Sequence, residues 1–273
     1  MNEPVRSNLA TRLLTATVVA PLILLLLYFG PAWAWFAVVF ASSGIGAFEL
    51  FGMTHPNDRV SRTAGVALTL LVSGVLWQWG MDARALVTLI ALIPFAAIAL
   101  TLARLGDVRT AALRITAAVF GPLWLGMLTF LAILRRDMGA DGPGYVVMAL
   151  MFAWFADTGG YFVGIRFGRH KLYEAVSPKK TIEGFGGALL GSTIGALLAH
   201  FWYLRSIPLL DALLLAILAG LTGQIGDLGE SLLKRSTGVK DSGEIVPGHG
   251  GILDRIDALF VTSALVYLYV RWR

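Results

Sequence analysis

No cysteine occurs in the 273 residues of the chain. That excludes disulfides, iron–sulfur clusters, thiolate metal sites and a cysteine nucleophile, and leaves any metal to oxygen or imidazole ligands. Charge is also scarce. Asp, Glu, Lys and Arg make up 14% of the residues against 57% hydrophobic ones, whereas soluble domains carry about a quarter charged residues. With a mean hydropathy of +0.74, this composition excludes a soluble domain and defines a polytopic integral membrane protein. The sequence has no phosphate-binding P-loop, no H-E-x-x-H and no G-x-S-x-G, and covalent catalysis has no evident nucleophile. Nucleic-acid-binding motifs are absent, so the net charge of +5 bears on membrane orientation and anionic headgroups instead. There is no internal repeat of the kind transporters carry.

What is present is a series of apolar runs. A window of roughly 20 residues, enough to cross about 30 Å of hydrocarbon, marks nine of them, near 12–29, 32–53, 64–81, 85–103, 112–134, 144–165, 185–204, 208–229 and 252–270. Lipid offers no partner to backbone N–H and C=O groups, and no ten-residue alternating pattern suggests a barrel, so the expected fold is all-α with about nine transmembrane helices. The first run follows Arg6 and Arg12, and Ala32-Trp33-Ala34 imitates a signal-peptidase site. The length of that run and the polytopic remainder favour a retained first helix. With the N-terminus in the cytoplasm, 16 of the 22 basic residues fall on the cytoplasmic side, as the positive-inside rule requires. The polar intervals 166–184 and 230–251 then face the cytoplasm, from a bacterial-type cytoplasmic (inner) membrane.

Composition shifts along the chain. Residues 1–143 have short connections and few polar groups within their spans, Glu49 among the exceptions, and read as a membrane scaffold of about five helices. From Asp157 onward glycine and charge concentrate, so 144–273, about four helices with two polar loops, reads as the catalytic region. Gly187, Gly191 and Gly195 form overlapping G-x-x-x-G steps that put a smooth strip on one helix face. Packing within one subunit and a homodimer interface both fit that strip.

The densest polar interval in the C-terminal third runs from Gly226 to Asp257. Asp227, Ser231 and Lys234 are spaced i, i+4, i+7 and share one helix face. A carboxylate, a hydroxyl and an ammonium in a row suit a metal-bound polyphosphate, with Asp227 on the cation and Ser231 and Lys234 on phosphate oxygens. An ordinary helix end, with Lys234 on the dipole and paired to Glu230, accounts for Lys234 but not for Asp227 near the membrane boundary. Asp254 and Asp257 are i, i+3 at the start of the last helix and bracket Arg255. Dipole compensation with Asp254 as N-cap is the plain alternative. With Asp227 opposite them, these carboxylates can hold one or two Mg²⁺ ions. Between the two helices, Lys240-Asp241 leads to Gly248-His249-Gly250-Gly251, where glycines permit close backbone approach to phosphate. Upstream, Ser177-Pro178-Lys179-Lys180-Thr181 precedes a helix start, where adjacent lysines can clamp phosphate. Asp157 lies inside a span and is a candidate on that ground.

These residues resemble the phosphatidate cytidylyltransferases, or CDP-diacylglycerol synthases. The resemblance rests on Ser231, Leu233, Lys234-Arg235, Lys240-Asp241, Pro247, His249-Gly250-Gly251, Asp254-Arg255 and Asp257, at that family's spacing. Val246 stands where a larger apolar residue is expected, and Gly160 where Ala is commoner. By motif the resemblance covers roughly 150–260; the first half resembles the family only in hydropathy. It implies transfer of a cytidylyl group from CTP to phosphatidic acid, giving CDP-diacylglycerol and pyrophosphate, with Mg²⁺ required. On that basis Asp227, Asp254 and Asp257 are the expected metal ligands and, with Lys234, the catalytic residues. Ser231, Lys179, Lys180, Arg255, Ser177, Lys240 and His249 are the expected substrate-binding residues. Two other readings stay open on the residues alone: an ion- or proton-coupled transporter, from the embedded acids Glu49, Asp157 and Asp227, and a CTP-dependent enzyme of the polyprenol kinase type.

Overall fold

The computed structural model describes residues 20–80, 82–243 and 250–273. Among the described residues there are ten α-helices: α1 (Ala20–Phe29), α2 (Ala32–Thr54), α3 (Arg59–Trp79), α4 (Ala83–Ala103), α5 (Ala111–Gly126), α6 (Thr129–Asp137), α7 (Gly142–Phe167), α8 (Ile182–Leu198), α9 (Leu209–Ser236) and α10 (Leu253–Trp272). Among the described residues seven helical stretches are long and apolar enough to cross a membrane, with α5 and α6 together forming one of them. A helix of 20 residues rises about 30 Å, so each can span the hydrocarbon. Of the other two expected spans, the one near 12–29 is described only from Ala20. The second, α10, is set apart by Asp254, Arg255, Asp257 and Arg271 at its ends. The chain is thus a polytopic all-α membrane protein.

Two departures from uninterrupted helices shape the bundle. The expected single span near 112–134 is two helices, because Met127 and Leu128 tighten into i→i+3 hydrogen bonds to Trp124 and Leu125 (3.1 and 3.2 Å). Gly126 sits at this joint against Val72, whose side chain a Cβ there would approach to 2.6 Å. The second departure is an antiparallel hairpin, β1 (Lys171–Tyr173) with β2 (Ser177–Thr181), where an irregular loop was expected. Its Val176 is buried, and Thr181 ends it by capping α8, accepting from the Gly184 N–H at 3.0 Å.

The core runs through α2, α5, α6, α7 and α10, with Trp35, Phe51, Leu125, Phe152, Phe260 and Tyr267 buried. Phe130 stacks on Tyr267 at 4.5 Å, and the Trp35 indole donates to the Leu131 carbonyl. By contrast α4 presents Val87, Ile90, Leu92 and Phe95 outward, as a helix facing lipid does.

The glycine strip of α8 packs inside the chain, on α7. A Cβ at Gly187 would lie 2.5 Å from the Gly159 carbonyl oxygen, and one at Gly191 would overlap the Phe155 carbonyl. Backbone lies on backbone here, and neither side can yield. Gly191→Val is therefore expected to destabilise the protein by about 3 kcal/mol, the upper part of the usual overpacking range. A thermal midpoint in detergent equal to that of the wild type would contradict it.

Asp58 caps α3, accepting from the N–H groups of Val60 and Ser61 and from the Ser61 hydroxyl at 2.6 Å. The Ser61 hydroxyl is the main cause that lowers the Asp58 carboxyl from 3.8 to about 2, with Arg104 assisting and burial opposing. Since the folded value lies below the unfolded one, the ionised cap stabilises above pH ~4 and its contribution fades as pH falls through about 2. Asp58→Ala should cost about 1 kcal/mol at neutral pH. The difference from wild type should vanish in acid, as paired unfolding curves would reveal.

Candidate active site

The charged residues gather where the C-terminal part of α9, the start of α10, the end of α7 and the hairpin meet. From α9 come Asp227, Glu230, Ser231 and Lys234. The 3.6-residue period turns all four toward α10 and the hairpin. Glu230 is buried and Lys234 is 12% exposed at its side chain. Carboxylate oxygens of Asp227, Glu230 and Asp257 all lie within 4.8 Å of one another, and Asp257 is buried, accepting from the Ala258 N–H.

Asp254 takes a different position from Asp257. One of its oxygens accepts from the Lys234 ammonium at 2.6 Å. The other accepts from the Gly251 N–H (2.9 Å), the Ser242 hydroxyl (2.9 Å) and the Ser242 N–H (3.2 Å). Ile252, not Asp254, is the N-cap residue of α10, and it offers no capping side chain. Lys234 bridges Asp254 and Glu230, lying 3.1 Å from the latter. Of the three expected metal ligands, the structure therefore groups Asp227 and Asp257 and adds Glu230, which the sequence reading treated only as a partner for Lys234.

Beside this cluster opens a cavity of about 690 Å³. Asp157, Lys179, Lys180, Gln224 and Asp227 supply its polar wall, and Tyr161, Ile165 and Phe185 its apolar one. Lys180 is ion-paired to Asp227, and Lys180 and Arg255 are the cations acting on Asp157. Ser231 is half-buried on the α9 face. Ser177 is half-buried in the hairpin, paired in register with Tyr173, and Lys240 is exposed; neither lines the cavity. His249 lies outside the described residues. A slightly larger cavity, about 740 Å³, lies among His55, Asp58, Arg104 and Arg114, but the described carboxylate cluster is not in it. Arg114 there donates to the Arg104 and Leu105 carbonyls at the end of α4.

The donor set fits a hard divalent cation. Three carboxylates converge, and among the described residues one buried oxygen of Glu230 has no hydrogen-bond partner.

Residues the sequence reading missed enter from both sides. Glu230 was within reach, since it lies three positions after Asp227 on the same face. Ser242 carried no signal. Glu49 of α2 was visible only as an acid in an apolar span, with no hint of its partners; those are the N–H groups of Ile252 and Leu253 and the Ser242 hydroxyl.

Fold and site together define an integral membrane protein with a carboxylate–lysine centre set into one end of a helical bundle. Residues 10–272 match the model of the cytidylyltransferase family, and the chain belongs to that family. It is 45% identical over 133 residues to a phosphatidate cytidylyltransferase of Staphylococcus haemolyticus (strain JCSC1435), a stretch covering 48% of this chain and 51% of the relative. With the phosphatidate cytidylyltransferase of Bacillus subtilis (strain 168) it shares 42% identity over 147 residues, 54% of this chain and 55% of the relative. That of Staphylococcus aureus (strain COL) is 44% identical over 133 residues, 48% and 51% of the two chains. In these matches the chain spans about half the length of each relative.

Proposed function

We propose that the chain transfers the cytidylyl group of CTP to phosphatidic acid, with Mg²⁺ as cofactor. The observation that carries this reading is the joint presence of a cluster of three converging carboxylates and a lysine-lined cavity beside it. Family membership and the names of the relatives support the choice of nucleotide and lipid. An oxygen of the lipid phosphate attacks the α-phosphorus of CTP, the bond from that phosphorus to the β-phosphate bridging oxygen breaks, and pyrophosphate leaves. The attacking phosphate is already an anion, so no strong base is needed, and catalysis reduces to positioning and charge neutralisation.

Lys179 and Lys180 approach the phosphates from the hairpin, Lys180 exchanging its bond to Asp227 for a phosphate oxygen. Arg255 adds positive charge beside Asp157, and Ser231 offers a hydroxyl from α9. Lys234 is held by Glu230 and Asp254, which keeps its ammonium fixed at the edge of the cluster. Asp227, Glu230 and Asp257 would hold Mg²⁺, which when bound offsets triphosphate charge and stabilises the transferring group. The apolar wall of Tyr161, Ile165 and Phe185 suits the lipid end of the second substrate. In this reading 144–273 performs the chemistry, and the site opens to the cytoplasm, where CTP is.

The test is to incubate protein purified in detergent with labelled CTP, phosphatidic acid and Mg²⁺. CDP-diacylglycerol is the expected product, and its absence would refute the reading. Orientation is checked separately. Because the chain lacks cysteine, Lys240→Cys places a single thiol at an exposed position, which should resist an impermeant reagent in intact cells and react in inverted vesicles.

A further inference from the structure

Glu49 belongs to α2, in the part of the chain read as scaffold, yet its carboxylate is spent on the catalytic end. It is 3% exposed. One oxygen accepts from the Ile252 N–H at 3.0 Å. The other accepts from the Leu253 N–H at 2.8 Å and the Ser242 hydroxyl at 3.2 Å. The first N–H groups of a helix have no partner within it, and α10 starts at Leu253 behind Ile252, a residue unable to cap. The anion that satisfies these groups comes from more than two hundred residues earlier in the chain, and it sits where the helix dipole favours negative charge.

Two glycines make room for it. A Cβ on Gly243 would lie 2.7 Å from one Glu49 oxygen, and a Cβ on Gly251 would lie 2.5 Å from the other. The loop glycines of this chain thus accommodate a protein carboxylate. Ser242 extends the connection, since its hydroxyl lies between Glu49 and Asp254, and Asp254 holds Lys234. Two routes therefore lead from Glu49 into the cluster: along α10 to Asp257, one turn in, and through Ser242 and Asp254 to Lys234.

We infer that Glu49 is a positioning residue of the active site, fixing Asp257 and Lys234 relative to Asp227 and Glu230 by capping α10 and anchoring Ser242. The inference builds on the metal-binding part of the proposed function. It does not require that the substrates be CTP and phosphatidic acid.

The experiment uses full-length Glu49→Gln and Ser242→Ala, singly and combined, with three readouts: thermal midpoint in detergent, Mn²⁺ binding to the protein alone by electron paramagnetic resonance, and rates of CDP-diacylglycerol formation. In folded Glu49→Gln, Mn²⁺ affinity should fall roughly tenfold, as loss of groups that orient metal ligands does. The turnover rate should fall about 10- to 100-fold, with KM for CTP changed less than about threefold, since a displacement near 1 Å at the reacting groups has effects of that order. The double variant should lose less than the product of the single losses, because both act on one connection. Mn²⁺ binding and turnover within twofold of wild type in folded Glu49→Gln would overturn the inference, as would losses that merely follow the folded fraction. Should Glu49→Gln not fold, Ser242→Ala decides, because it removes the side-chain bonds to Glu49 and Asp254 and leaves the α10 cap. Unchanged Mn²⁺ binding and turnover there would overturn the inference. If wild type forms no CDP-diacylglycerol while Glu49→Gln still weakens Mn²⁺ binding, the substrate assignment fails and the positioning role stands.

Discussion

Asp257→Asn should lower CDP-diacylglycerol formation by about 10²- to 10³-fold, the range seen when one preorganised charge or dipole is removed from a reacting centre. Asparagine keeps the shape of the side chain, so the loss isolates charge from packing. It replaces one of three converging carboxylates with a group that presents N–H donors toward the other two. The same substitution should raise the thermal midpoint without metal, because three acids within 4.8 Å repel one another, and two of them, Glu230 and Asp257, are buried. Opposite movement of rate and stability marks a residue retained for function. Full activity in Asp257→Asn would refute the cluster as the reacting centre. Asp254→Asn is the informative companion. Its oxygens already serve Lys234, Ser242 and Gly251, so that variant should lose stability, in contrast to Asp257→Asn.

Lys234→Met is expected to destabilise the protein by about 3 to 5 kcal/mol, the usual cost of removing one partner from a buried ion pair. The Lys234 side chain is 12% exposed, that of Glu230 2% and that of Asp254 14%. Methionine fills the space but leaves the two acids facing each other without a counter-charge. Adding Glu230→Gln to Lys234→Met should recover a good part of the stability and none of the activity. Denaturation midpoints of the single and double variants in one detergent would reveal the recovery. An additive double variant would contradict the bridging role of Lys234.

Much of this was legible in the sequence, and each part that was not has its own physical reason. Apolar runs of about 20 residues mark helices because lipid allows little else. The break between α5 and α6 stayed hidden because it falls in continuous apolar sequence, with Gly126 at the joint against Val72. The hairpin 171–181 was unreadable because strands of three and five residues are too short to develop a period. In the site, the face shared by Asp227, Ser231 and Lys234 follows from helical arithmetic. That arithmetic also put Asp254 and Asp257 together, and they separate because Lys234, Ser242 and Gly251 draw the Asp254 carboxylate aside. Glu49 could not be paired from sequence, since its donors are backbone groups of a distant helix and leave no residue signature.

The Glu49 cap also bears on how the protein is made. During synthesis a carboxylate placed in α2 waits for donors that emerge from the ribosome more than two hundred residues later. Until α10 arrives, that acid sits in the bundle without its backbone partners, and burying an uncompensated anion costs several kcal/mol. A chain cut short before Ile252 therefore carries a built-in defect near the site it lacks. The Glu49 carboxylate therefore gains its backbone partners only when the start of the last helix is in place.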